Sequence, residues 1–370
     1  MFSGSWTGIS NYAYHILKEL CVLRSDIEIY LYSNTPIPQI SLPVKCHYRM
    51  GSGLLAKNGL LWLFTQGRWK ANKDGLDFFW GVNFILPKVH ANIRILTIHD
   101  LVFKLHPSTM KRLHRISLVT TIKRSIANAH VVVSISNVTS ADLVKYYGVS
   151  STLIKPSVDG EQFRHLKVEQ MDAFRKRMNL DFEYFLIVGT IEPRKNLPWF
   201  IEQFMRYYTG TTRLVIVGKS GWRNDKSQKV INEHQKTGRI NYFSYIGSDA
   251  LPVFYNCAKG FIAPSLYEGF GMTILEALAC GCPVFASNIP AHREAGGDAC
   301  TYFDLRNDSV AEMLRNIDTV SGAKNRKGYY ETWTWFAAAE KFLNLLETTF
   351  LENSKNNKIR DPLFKGALNQ

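Results

Sequence analysis

The 370-residue sequence lacks any apolar run of the roughly 18–20 residues that a bilayer-spanning helix needs, so it offers no candidate membrane span. Its first residues, MFSGSWTGISNYAY, lack a charged start followed by an apolar core and do not read as a signal peptide. Cysteine is sparse: Cys21, Cys46, Cys257, Cys280, Cys282 and Cys300 are scattered, mostly through apolar segments. Cys280-Gly-Cys282 has no second Cys/His pair at a zinc-like spacing. The expectation is buried, reduced thiols in a cytoplasmic protein with no metal centre. Internal repeats and low-complexity tracts are missing too.

Acid is also in short supply. Asp and Glu number 31 against 45 Lys and Arg, a net charge of +14. Residues 101–141 contain no acid at all, yet hold Lys104, Lys111, Arg112, Arg115, Lys123 and Arg124. Such an excess points to an anionic partner: nucleic acid, a membrane face or a phosphate-bearing substrate. No nucleic-acid-binding signature and no clustered aromatic platform is present, so nucleic acid is not expected. The helix predicted over 108–127 mixes these cations with Leu113, Ile116, Leu118, Val119 and Ile122. It can lie peripherally on an anionic membrane, or it can be a core helix with a basic edge.

What the sequence does have is alternation. Short apolar runs at 93–98 (IRILTI), 130–135 (HVVVSI), 185–188 (FLIV), 213–217 (RLVIV), 260–263 (GFIA) and 283–286 (PVFA) are each followed by a helix-length segment. Continuous apolar strands are buried on both faces, which predicts a parallel sheet covered by helices: an α/β protein of Rossmann-like, doubly wound design. A turn at 156–160 and a polar helix at 168–178 predict a boundary, giving a domain at 1–165 and another at 166–350 with a cleft between them. Residues 335–351 (WFAAAEKFLNLLETTFL) read as a terminal helix, and 351–370 as a polar, basic tail packing back on the first domain. Rossmann-like domains open on a strand, whereas this chain opens on a glycine loop and a helix over 11–23. The expectation is therefore a first strand missing from the sequence, with the true start upstream of Met1.

Two motifs carry chemistry. In the first, Ser265-Leu-Tyr-Glu268-Gly269-Phe270-Gly271-Met272-Thr273-Ile274-Leu-Glu276, a strand runs through a glycine turn into a helix. That junction is the ligand side of a parallel sheet, and the first N–H groups of the helix form an anion site. The two carboxylates, eight residues apart, suit hydroxyl pairs on either side of the phosphates: a sugar at Glu268 and a ribose at Glu276. In the second, Gly189 ends a strand and Arg194 and Lys195 follow. Adjacent cations at a helix start are unfavourable unless they meet an anion, and Arg forks suit phosphate oxygens. His99, at the end of the strand 93–98, is either a ligand residue or a structural histidine bonded to Asp100. Asp181-Phe-Glu183 has the spacing of a metal-binding pair but precedes its strand, so it reads as a solvated turn.

These residues resemble the retaining, GT-B-fold glycosyltransferases of the bacterial family GT4. Glu268 to Glu276 is similar to that family's E-x7-E element, and Arg194/Lys195 to its diphosphate-binding pair. Thr7-Gly8-Ile9 is similar to its first glycine loop, and Thr97-Ile-His99-Asp100 to its T-x-H-D segment. The resemblance is nearest to mannosyl- and rhamnosyl-type transferases of O-antigen and capsule assembly. It implies that Glu268, with amides of Gly269, Phe270 and Gly271, contacts the donor sugar beside His99. Arg194, Lys195 and the amides of Met272, Thr273 and Ile274 would take the leaving diphosphate without a metal. Gly8 and Gly189 would approach the phosphate, Glu276 the ribose, and Gly247 and Ser248 the base. The implied donor is GDP-mannose and the implied acceptor a glycan or polyprenyl-linked glycan. The rival readings are a non-catalytic nucleotide-sugar-binding partner in an envelope assembly complex and a sugar-nucleotide epimerase.

Overall fold

The computed structural model describes residues 7–37, 40–244, 246–247, 249–319 and 333–357. Its first described element is α1 (Gly8–Leu23), with the Thr7 hydroxyl accepting from the Ser10 N–H at its start. Two sheets follow in the N-terminal domain. One pairs β1 (Ile29–Ser33) in parallel with β2 (Cys46–Met50). The other runs β3 (Phe78–Gly81), β4 (Ile93–Ile98), β5 (Val131–Ser134) and β6 (Thr152–Leu153) in that spatial order, all parallel. β1 and β3 are not hydrogen-bonded to each other. A pocket of about 330 Å³, partly open to solvent, lies where their edges meet, lined by Leu31, Phe79 and Trp80 together with Leu17, Leu20 and Phe342.

The C-terminal domain is one parallel sheet of six strands: β7 (Tyr184–Val188), β8 (Arg213–Val217), β9 (Ile240–Phe243), β10 (Gly260–Ala263), β11 (Val284–Ser287) and β12 (Cys300–Phe303). Their spatial order is β12-β11-β10-β7-β8-β9. The central strands are apolar and buried along their length, as residues covered by helices on both faces must be. The chain reverses its winding direction between β7 and β10, which makes that pair the topological switch point.

Four further helices matter for the site. They are α2 (Arg112–Asn128) and α3 (Asn137–Tyr147) in the N-terminal domain, and α4 (Met272–Ala279) and α5 (Pro290–Gly296) in the C-terminal one. α2 starts later than predicted because Pro107–Thr109 form a separate 3-10 turn and Lys111 is extended.

The terminal helix, α6 (Trp335–Asn357), corrects the predicted boundary. It does not close the C-terminal domain but packs on α1 and the N-terminal sheets. Trp335 stacks on His15 and meets Tyr12 edge-on, Phe342 lies on Trp80, and Phe350 on Phe78. Arg24 pairs with Glu347 at 3.4 Å. Residues 335–350 thus belong to the first domain: their apolar stripe covers its exposed core, and a stripe alone does not say which surface it will cover. The predicted tail begins inside this helix, and residues 358–370 lie outside the described residues.

Candidate active site

The switch point between β7 and β10 assembles the charged cluster. After β7 the chain passes Gly189 and forms a 3-10 turn, Pro193–Lys195, that folds the Lys195 side chain back over Gly189. After β10 comes the glycine turn, whose Gly271 takes φ 120°, a conformation that costs other residues strain, and so directs the chain into α4. The Leu266 N–H donates to the Arg194 carbonyl (2.8 Å), pinning the two loops together. Both cations then converge on one carboxylate. Lys195 Nζ lies 2.6 Å from Glu268 Oε1, and Arg194 Nη1 is paired with Oε2. The Ser265 hydroxyl donates to Oε1 at 2.7 Å, and Arg194 Nη2 also reaches Glu192 at 2.8 Å. Burial opposes the Glu268 charge, but Arg194 and Lys195 outweigh it and hold the carboxyl well below the usual carboxylate range. Burial likewise opposes the Arg194 charge, and Glu268, Glu192 and Asp100 overcome it.

The N-terminal domain meets this cluster with the end of β4. His99 is buried; its Nε2–H donates to the Val82 carbonyl at 2.7 Å, and its ring meets Tyr12 edge-on. Burial pushes its pKa down to about 4, so the ring is neutral near pH 7. Its partner is therefore the Val82 carbonyl and not Asp100, whose carboxylate accepts from the Val102 N–H. Gly269 sits directly against the His99 carbonyl, where any Cβ would collide with the oxygen. Tyr267 crosses the same gap: its hydroxyl accepts from the Leu101 N–H (3.1 Å) and donates to Asp142 (3.4 Å). Gly8, opening α1, faces Met272 at the start of α4.

The remaining candidates divide. The Met272 and Thr273 amides open α4 with no partner among the described residues, whereas the Ile274 N–H is already donated to the Gly271 carbonyl. The expectation that Ile274 offers a free amide is thus corrected: the tight turn at Gly271 consumes it. Phe270 buries its side chain against Trp333, so only its backbone faces the turn. Glu276 is buried and accepts a 3.0 Å hydrogen bond from the Tyr255 hydroxyl. Burial raises its pKa to about 7. Among the described residues Glu276 and Glu268 share no hydrogen-bonding partner, but the Lys195 charge bears on both. Gly247 accepts from the Ala250 N–H; Ser248 lies outside the described residues. Glu183 pairs with Lys259 at 3.1 Å, away from the cluster.

Sequence reasoning missed several members. Glu192 lies between Gly189 and Arg194 and pairs with Arg194. Asp100, Tyr267 and Ser265 were passed over as neighbours of better candidates. His292, on α5, is also buried, with its ring near Gly271, and the Glu268 charge bears on it. Tyr267 finds its partners, Leu101 and Asp142, on distant segments, whereas Ser265 and Glu192 bond to Glu268 and Arg194 three and two positions away inside the motifs themselves.

Residues 168–324 match the family described as Glycosyl transferases group 1. O-antigen chain mannosyltransferase B of Escherichia coli is 27% identical over 317 residues, covering 79% of this chain and 82% of that protein. Among solved structures, sucrose-phosphate synthase from Thermosynechococcus elongatus superposes with a TM-score of 0.74 at 19% identity, over 94% of both chains. The Anabaena protein HepE, solved with UDP-glucose, superposes with a TM-score of 0.64 at 14% identity, over 97% of this chain and 98% of that one. Among the described residues no helix is long and apolar enough to cross a membrane. The chain is a glycosyltransferase of the GT-B fold, and its residues 168–324 form a glycosyl transferases group 1 domain.

Proposed function

We propose that this glycosyltransferase moves mannose from GDP-mannose, with retention of configuration, onto a glycan or polyprenyl-linked acceptor in cell-surface polysaccharide assembly. One observation carries the chemistry: Arg194, Lys195 and Glu268 meet at the switch point, opposite His99 and beside the first amides of α4. The two cations and the Met272 and Thr273 amides form a fixed clamp for a leaving diphosphate. Their positive charge is in place before the reaction, so no metal is assigned. Glu268 keeps the cations oriented and offers its oxygens to sugar hydroxyls. As the bond from the anomeric carbon to the diphosphate oxygen breaks, the electron pair stays on the diphosphate. The acceptor oxygen enters on the same face and gives its proton to the departing phosphate oxygen. His99, neutral and tethered by Val82, lines the sugar pocket rather than carrying charge. The mannose choice rests on the mannosyltransferase relative; the HepE likeness makes UDP-glucose the donor to test against it.

The membrane reading belongs here too. α2 buries Leu118 and Ile122 in the core but exposes Leu113, Ile116 and Val119 beside Arg112, Arg115, Lys123 and Arg124. One face thus serves the fold, and we assign the other to an anionic bilayer, at about 1 kcal/mol per cation near the surface.

Turnover of GDP-mannose and UDP-glucose, read as released nucleoside diphosphate with and without EDTA, tests the reading. GDP-mannose turnover that survives EDTA and falls on the order of 100-fold or more in Arg194→Ala and Glu268→Gln is expected. Turnover of UDP-glucose alone would remove the mannose assignment, and abolition by EDTA the metal-free clamp. Co-sedimentation with anionic but not neutral vesicles, lost in Arg112→Glu/Lys123→Glu, is expected for α2.

A further inference from the structure

Glu294, on α5 of the C-terminal domain, reaches across to the other domain. Its Oε1 accepts from the Asn137 backbone N–H and the Asn137 side-chain amide, each at 2.9 Å, and its Oε2 from the Val138 N–H at 3.3 Å. Lys155, just past β6, pairs with the same Oε1 at 2.9 Å. Asn137 and Val138 are the first residues of α3, and a helix start leaves four N–H groups without partners inside the helix. Here Ser136 satisfies the Thr139 N–H through its hydroxyl and the Ser140 N–H through its carbonyl. The first two N–H groups are satisfied by a carboxylate from across the cleft. The positive end of α3 and the Lys155 ammonium make that place suit an anion.

The third residue of the same turn leads to the active site. The Thr139 hydroxyl donates to the His99 carbonyl at 3.1 Å, and that carbonyl is the oxygen against which Gly269 is seated. A rigid path therefore runs from Glu294 through the first turn of α3 to the His99 backbone and back to the glycine turn. On the other side of the cleft, Trp222 and Arg223 donate to the Thr109 and Met110 carbonyls. Those contacts are neutral acceptors on loop backbone, whereas Glu294 is a nearly buried charge.

We infer that Glu294 is a positioning residue: an interdomain latch that grips the start of α3 and thereby sets His99 against the donor turn. The inference rests on the reading of His99 as part of the sugar pocket. Glu294 touches neither donor nor acceptor in this scheme; it acts through Thr139 and the His99 backbone. Closure without it leaves two amides and an ammonium facing the cleft, so the closed arrangement is populated less.

Glu294→Ala and Glu294→Gln test this. In the Ala variant, turnover at saturating donor falls at least tenfold, while the affinity for GDP and UDP, read by calorimetry, stays within twofold of the parent. The Gln variant keeps an acceptor for the Asn137 N–H and recovers part of the loss. Small-angle scattering gives a larger radius of gyration for the Ala variant than for the parent, without any donor present. An Ala variant with parental turnover and parental radius overturns the latch. So does loss of GDP and UDP binding in step with turnover in both variants, because Glu294 would then support its own domain. A parent inactive on every donor would refute the proposed function, and the scattering comparison would still decide the latch.

Discussion

The two domains solve the same problem differently. The C-terminal sheet is continuous through six strands and places its reversal between β7 and β10, and the charged machinery stands on the ends of those two strands. The N-terminal domain divides its strands into a pair and a quartet, separated by a pocket, and relies on the terminal helix to cover the gap. Its contribution to the site is smaller: the tethered His99 and the backbone around it. The difference teaches where rigidity is needed. A clamp for a leaving diphosphate gains from fixed charges on a firm scaffold. A domain that closes over it needs a few well-placed contacts and tolerates a looser interior.

The comparison breaks most readily where the domains touch. Gly269→Ala forces a methyl group into the His99 carbonyl, so closure is lost while each domain keeps its fold. Turnover is expected to fall on the order of a hundredfold; unchanged turnover would mean that the contact is dispensable. Next comes Phe342→Ala, which removes a buried ring from Trp80 beside the pocket. The cost is expected to be about 3 kcal/mol, read by hydrogen exchange as lost protection in β3 and α1 with β7 and β8 retained. Equal loss in both sheets would make the chain one cooperative unit.

The smallest effect is a pair of opposed pH slopes. Glu276 has its pKa raised by burial from 4.5 to about 7, so its contribution is full below about 4.5 and is lost as pH rises through 7. His99 has its pKa lowered by burial from 6.5 to about 4, so its contribution is present above 6.5 and is lost as pH falls through 4. Melting followed by exchange should show Glu276 weakening the C-terminal domain toward neutral pH, while His99 in the N-terminal domain and His292 in the C-terminal one, each lowered to about 4 by burial, weaken both toward acid. Glu276→Gln and His99→Gln should each flatten one slope only.

Much of the C-terminal domain was legible because its strands are short, continuous apolar runs: β7, β8 and β10 are buried on both faces and read so directly. β1, β2, β3, β6, β9 and β12 were not found; three of them show why. IYLYS alternates, CHYRM is half-exposed along its length, and CTYF shows one buried end, so none carries the signature of a central strand. The site divides in the same way. Arg194, Lys195 and Glu268 announce themselves because local motifs hold them. Tyr267 reaching Leu101, Thr139 reaching His99 and Glu294 reaching Asn137 join residues more than 35 positions apart. Such encounters are properties of the closed cleft, and no window of sequence contains them. The terminal helix illustrates the intermediate case: its stripe was readable, its destination was not.

The space between β1 and β3 has a mechanical consequence. Empty interior volume disappears when a domain unfolds, so compression favours the unfolded chain in proportion to the void removed. The seam between the strand pair and the quartet is packed less continuously than the six-stranded sheet, so hydrostatic pressure should loosen the N-terminal domain at loads that leave that sheet intact. The two halves would then part company along the volume axis.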